Sequence, residues 1–95
     1  MSRLRFEKRF TDDLAEAIEW YQRASPEVCG TLRISISERL QSVEEFPESF
    51  QLLLNGRGHR GATLRSFPWM IVFRLENQTI RLLRLIHLAS NWNLG

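Results

Sequence analysis

Apolar and polar positions change period along this chain, and each change marks an element. Arg3 to Glu7 alternates, with Leu4 and Phe6 on one side and Arg3, Arg5 and Glu7 on the other, the period-two pattern of a short half-buried strand. Leu14, Ala17, Ile18 and Tyr21 then recur at helical spacing, and Ala24 closes the same stripe. Thr11 ahead of Asp12-Asp13 offers a capping hydroxyl and two acids at a helix start, so the first helix is predicted from Thr11 to about Ser25. Pro26 stops it, because the residue before a proline is pushed out of the helical region. Ser25-Pro26 also opens a second helix, a capping residue followed by proline in the first position. This helix is predicted from Pro26 to about Phe46, with Cys29, Leu32, Ile36, Leu40 and Val43 as its apolar stripe and Pro47 as its stop. Two helices with almost no loop between them form an antiparallel hairpin.

The remainder reads as strands. Gln51 to Leu54 is a short apolar run, Asn55-Gly56-Arg57-Gly58 is a turn signal, and Arg60 to Arg65 is a strand of small residues. Phe67 to Leu75 and Thr79 to His87 are stronger strands, joined as a hairpin through Glu76-Asn77-Gln78. Both are apolar on two faces: Phe67, Trp69, Ile71 and Phe73 against Met70 and Val72, then Ile80, Leu82 and Ile86 against Leu83 and Leu85. Such strands belong inside a sheet. The order is β-α-α-β-β-β, an α+β fold with a helical hairpin packed on one face of a small, mainly antiparallel sheet.

Composition narrows the class. The 95 residues are 43% hydrophobic, 25% charged and 11% aromatic, with five Gly and three Pro, which excludes collagen-like and mostly disordered chains. The length fits one domain, residues 1–95. The longest uncharged apolar run, Ser66 to Phe73, is far short of the ~20 residues of a membrane span, and the charged start MSRLRFEKRF does not read as a signal peptide. Cys29 is the one cysteine, so an internal disulfide is excluded and a reduced, cytoplasmic chain is expected.

Charge changes the picture more. Residues 1–50 carry seven basic and ten acidic side chains, whereas residues 51–95 carry six Arg (57, 60, 65, 74, 81 and 84) and one acid, Glu76. The C-terminal half therefore presents a basic surface that attracts nucleic acid or an acidic partner segment. Strand parity groups Arg84 with Ile80, Leu82 and Ile86, and Arg81 with Leu83, Leu85 and His87. A sheet face left uncovered by helices, with Arg60 and Arg65 alongside, suits RNA phosphate or an acidic peptide. The alternative is a solvated face whose Arg stems cover apolar area.

Candidate chemistry is sparse. His87 ends the last strand, where a structural or rim position is expected, and His59 lies in the Gly-rich turn, where a solvated loop position is expected. No nucleophile–histidine–acid set stands at a telling spacing, and Cys29 falls on an apolar helix stripe. Two His without paired Cys make no metal cluster, Asp12-Asp13 reads as helix-terminal acids, and Glu44-Glu45 reads as a solvated helix end.

The ordered residues carry a resemblance. Asp13-Leu14-x-Glu16-Ala17 leads to Trp20-Tyr21 in the first helix, and the second closes with Phe46-Pro47 before Phe50. Then come Arg60, the segment Arg65-Ser66-Phe67-Pro68-Trp69 entering Met70-Ile71-Val72-Phe73, a last strand ending Leu85-Ile86-His87, and Trp92. Over about residues 3–92 this resembles the RelE/ParE superfamily of toxins from bacterial type II toxin–antitoxin modules, also called plasmid stabilisation proteins. The resemblance implies the β-α-α-β-β-β fold. It also implies one of two activities: ribosome-dependent, metal-free cleavage of mRNA, or inhibition of DNA gyrase without chemistry of its own. The nuclease branch typically carries an Arg after the aromatic that starts the central strand, where this chain has Met70, and members of the family often carry another three residues beyond the last-strand His, where it has Ser90. Both differences remove positive charge from a phosphate site. The expectation is therefore a ParE-like gyrase inhibitor, needing no cofactor or metal, whose antitoxin docks on the helical hairpin and the sheet. Arg60, Arg65, Arg74 and Arg84 are the expected charge contacts and Trp20, Tyr21 and Trp69 the aromatic anchors. The rival readings are an endoribonuclease using Arg60, Arg65, Arg84 and His87, and a binding module without toxicity.

Overall fold

The computed structural model describes residues 2–89. Its elements run β1 (Leu4–Phe6), α1 (Lys8–Ala24), α2 (Pro26–Glu45), a 3-10 turn (Pro47–Ser49), β2 (His59–Thr63), β3 (Trp69–Glu76) and β4 (Thr79–His87). The strands form one sheet in the order β1-β4-β3-β2, with β1 parallel to β4 and the other pairs antiparallel. The expected order and the central places of the two apolar strands are both present. Phe10, Leu32, Ile36, Val43, Ile71, Phe73, Ile80, Leu82 and Leu85 fill the core between the helical hairpin and the sheet. A smaller cluster of Met70, Val72 and Ile86, with Leu53 and Leu83 packed against it, lies on the opposite side of the sheet.

The first helix starts earlier than its capping signal. Its N-cap is Glu7, without a side-chain cap bond, and Thr11 lies inside the first turn, donating its hydroxyl to the Lys8 carbonyl at 2.9 Å. The reason is tertiary: Phe10 is fully buried, and only a helix begun at Lys8 delivers its ring to the core. Glu7 gives up local capping to hold Arg81 at 3.1 Å, while its N–H donates to the Leu82 carbonyl at 3.1 Å. Asp13 is accordingly not a helix-terminal acid. The second helix follows expectation more closely. Ser25 accepts from the Val28 N–H at 3.4 Å, and Cys29, Leu32, Ile36 and Val43 are buried.

Gln51 to Leu54, the short apolar run, lies along the outer edge of β2, held by the Leu52–Arg60 bridge and by Leu53 N–H to the His59 carbonyl at 2.8 Å. Two further expectations need correction. His59 is no solvated loop residue: it opens β2 at 9% exposure. Glu44 is not simply solvated, since it accepts from the Ser2 hydroxyl at 2.9 Å and the Arg3 N–H at 2.8 Å, tying the start of the chain to the end of α2. These bonds, the Arg3 N–H foremost, hold its carboxyl below the usual range.

The face assignment in β4 also changes. Phe73 pairs with Leu82 and Val72 with Arg84, so Leu83 is an extra residue, a β-bulge. Before the bulge Ile80 and Leu82 enter the main core; after it Leu85 does, and Ile86 joins the outer cluster. Strict alternation predicted Ile80, Leu82 and Ile86 on one face, and a single inserted residue inverts that pattern.

Candidate functional site

β1 is only three residues long and pairs with Ile80 to Leu82, so β4 beyond the bulge has no strand on its outer side. Helix α1 runs beside this edge. Asp13, one helical turn after Phe10, places one carboxylate oxygen 3.0 Å from the Leu85 N–H and 2.7 Å from Arg84 Nε, while its other oxygen lies 3.3 Å from Arg84 Nη2. One acid thus takes the strand's open N–H and holds a guanidinium in a fork, with the two side chains only 28% (Arg84) and 18% (Asp13) exposed. Donating to the Asp13 carboxylate raises the Arg84 pKa. A role for Asp13 was visible in its position: it stands beside Phe10, Leu14 and Ala17, on the flank of the buried stripe.

Beside this pair, α1 and the ends of β3 and β4 border a cleft of about 610 Å3. Trp20, Tyr21, Trp69 and His87 line it, together with Arg84, Glu16 and Glu19. Trp69 Nε1 donates to the Tyr21 hydroxyl at 3.1 Å, and Tyr21 meets Phe67 edge-on at 5.8 Å. Trp69 and His87, opposite each other in the β3–β4 register, stack edge-on at 4.9 Å. His87 Nδ1 accepts from the Ala89 N–H at 3.1 Å, which leaves the proton of the neutral ring on Nε2. Trp20 packs edge-on against Tyr21 at 5.0 Å yet remains 60% exposed. Off the centre of its helix stripe, it sits at the mouth.

The uncovered side of the sheet is different. The registers align Arg5, Arg81, Arg74 and His59 in one row across all four strands. Arg81 is bridged to Glu7 at 3.1 Å and to Glu76 at 3.4 Å, and Arg74 is bridged to Glu76. The Nε atoms of Arg74 and Arg81 are hidden from solvent and find no acceptor. His59 Nδ1 lies 3.0 Å from the Asn55 amide nitrogen. Burial first, then the charges of Arg74 and Arg57, push its pKa down.

The residues expected from sequence therefore separate. Trp20, Tyr21, Trp69, Arg84 and His87 meet in the cleft. Arg74 belongs to the cationic row. Arg60 spends its guanidinium on the Phe50 carbonyl at 2.7 Å and the Glu48 carbonyl at 3.4 Å, fastening the 3-10 turn to β2. Arg65 is exposed beside Ser35, Arg39 and Glu38 of α2, and its carbonyl accepts from the Ser35 hydroxyl at 2.9 Å. Among the described residues no three His, Cys, Asp or Glu side chains gather as metal ligands. Ser90 and Trp92 lie outside the described residues.

The family described as "ParE toxin of type II toxin-antitoxin system, parDE" matches residues 4–92 by sequence. The chain belongs to the ParE toxin family. Among solved structures, one described as the chromosomal ParDE TA system from P. aeruginosa superposes with a TM-score of 0.78 at 21% identity, covering 92% of this chain and 96% of that one. That likeness shows a shared ParE-like fold. No curated protein matches the chain. Among the described residues no helix is long and apolar enough to cross a membrane.

Proposed function

We propose that this ParE-family chain is a cytoplasmic toxin that inhibits DNA gyrase and is neutralised by direct binding of a cognate antitoxin. The observation that carries the choice of target is the environment of Met70. At the place where the nuclease branch has an arginine, this chain has a buried methionine packed with Val72 and Ile86 beneath Leu53. The neighbouring strand is fitted to it: a Cβ on Gly61 would fall 2.6 Å from Met70 Sδ. A phosphate-stabilising cation has no room there, and an apolar floor cannot support anionic charge. The proposed nuclease residues are also apart. Arg84 and His87 share the cleft, but Arg60 is bound to backbone carbonyls beside the 3-10 turn and Arg65 lies against α2.

The antitoxin would dock through Trp20, Tyr21 and Trp69 as aromatic anchors, with Arg60, Arg65, Arg74 and Arg84 as charge contacts. The cleft between the helical hairpin and the sheet supports the aromatic part of this, because it gathers all three aromatics with one polar edge each, and Arg84 beside them; Arg60, Arg65 and Arg74 lie outside it. The test is pulse labelling after induction in a bacterium lacking the antitoxin. Thymidine incorporation should fall before methionine incorporation. A prior collapse of methionine incorporation would mean mRNA cleavage, and unchanged growth with tight antitoxin binding would leave a binding module without toxicity.

A further inference from the structure

The basic C-terminal half implies an acidic partner, but the cleft lining holds three carboxylates against two arginines, Arg23 and Arg84. Its helical wall contributes three carboxylates, Asp13, Glu16 and Glu19. Asp13 is committed to Arg84, and Glu19 lies 3.2 Å from Arg23 one turn further along. Glu16 stands between them, exposed, with no ion pair among the described residues. Trp20 is one turn beyond Glu16 on the same helix, the i, i+4 spacing that brings two side chains onto one face. A carboxylate beside an exposed indole, with Tyr21 and Trp69 behind it, is the chemistry that recognises a cation: the ring face attracts positive charge and the acid neutralises it. A guanidinium suits both, lying flat on the indole while its fork meets the carboxylate. An incoming carboxylate would instead meet acids that Arg84 and Arg23 have already neutralised and one that nothing neutralises.

We infer that the cleft receives an arginine side chain of the partner's docking segment, stacked on Trp20 and paired with Glu16. The inference rests on the antitoxin reading for the partner's identity and refines its chemistry: acidic side chains of that segment belong over the cationic row, and a basic one belongs here.

The probe is a pair of twelve-residue amphipathic peptides with the same apolar positions, one bearing three Arg and the other three Glu. Each is titrated into the 15N-labelled chain while the indole N–H signals of Trp20 and Trp69 are followed. The Arg peptide should shift both signals saturably and bind at least about tenfold tighter than the Glu peptide. Replacing its arginines with citrulline should remove that advantage, because citrulline keeps the shape and loses the charge. Glu16→Gln, at an exposed site, should weaken the Arg peptide roughly fivefold and leave the Glu peptide no weaker, since the charge it removes repels a carboxylate. Equal or tighter binding of the Glu peptide, unmoved indole signals, or an indifferent Glu16→Gln would overturn the inference. Binding is read on the isolated chain, without gyrase, ribosome or growth. A failed target assignment therefore leaves this result standing, and a failed titration leaves the target assignment standing.

Discussion

The cleft and the cationic row both contain arginines held by carboxylates, yet they differ in how the charges are held. In the cleft one acid grips one guanidinium in a fork and takes a strand N–H as well, with both side chains mostly shielded. On the open face Arg74 and Arg81 share Glu76, Arg81 adds Glu7, and the side chains are 34–40% exposed. The first arrangement is part of the fold, and removing one partner strands the other. The second is a screened network with more donors than acceptors, able to rearrange toward an arriving anion. Counting arginines by half-chain treats the two alike; burial and partner number separate them.

The sharpest way to break that comparison is Asp13→Ala. It should cost about 2–3 kcal/mol, because it orphans a part-buried guanidinium and opens the Leu85 N–H. Urea unfolding measures this, and the loss should change little in 1 M salt. A loss below about 0.5 kcal/mol would make the pair an ornament of the surface and move Arg84 back among the free cations.

Glu76→Ala is the matching change on the open face. Arg81 keeps Glu7, and the exposed geometry screens the rest, so the expected cost is about 0.5–1 kcal/mol. High salt should erase most of it. If Glu76→Ala proves as costly as Asp13→Ala and as indifferent to salt, the two regions are not different in kind.

Most of the fold was legible because its signals are local. Ser25-Pro26 opens α2, Pro47 follows its end, and the two apolar strands take the central places that their two-sided pattern demands. The misreadings share another cause. Phe10 draws α1 three residues ahead of the Thr11 signal, and Leu83 inverts the faces of β4, each for contacts made with distant parts of the chain. The cleft suffered most from this. Trp20, Tyr21 and Trp69 could be picked out by type, but Asp13 was read as part of a helix start, because the helix start itself was misplaced, and Glu16 was given no role in the site. With the bulge unseen, Arg84 was assigned a face on which it does not lie.

The smallest effect concerns His59 and the pH dependence of the open face. Its pKa in the folded chain lies below the ordinary 6.5, chiefly through burial and then through Arg74 and Arg57. The Asn55 amide beside Nδ1 agrees with this, since it offers a donor to the neutral ring. Below pH 6.5 the unfolded chain takes up a proton that the folded chain resists. Stability should therefore be full above 6.5, decline as the pH falls toward the folded-state pKa, and level off beneath it. Glu44 acts in a separate window: its depressed carboxyl adds stability that is present above 4.5 and lost only as the pH falls through its lower folded value. Urea midpoints of the chain and of His59→Gln between pH 7.5 and 5 isolate the histidine, and the variant should lose the slope. A slope that survived in the variant would place the titrating proton elsewhere and leave His59 out of the pH dependence of the open face.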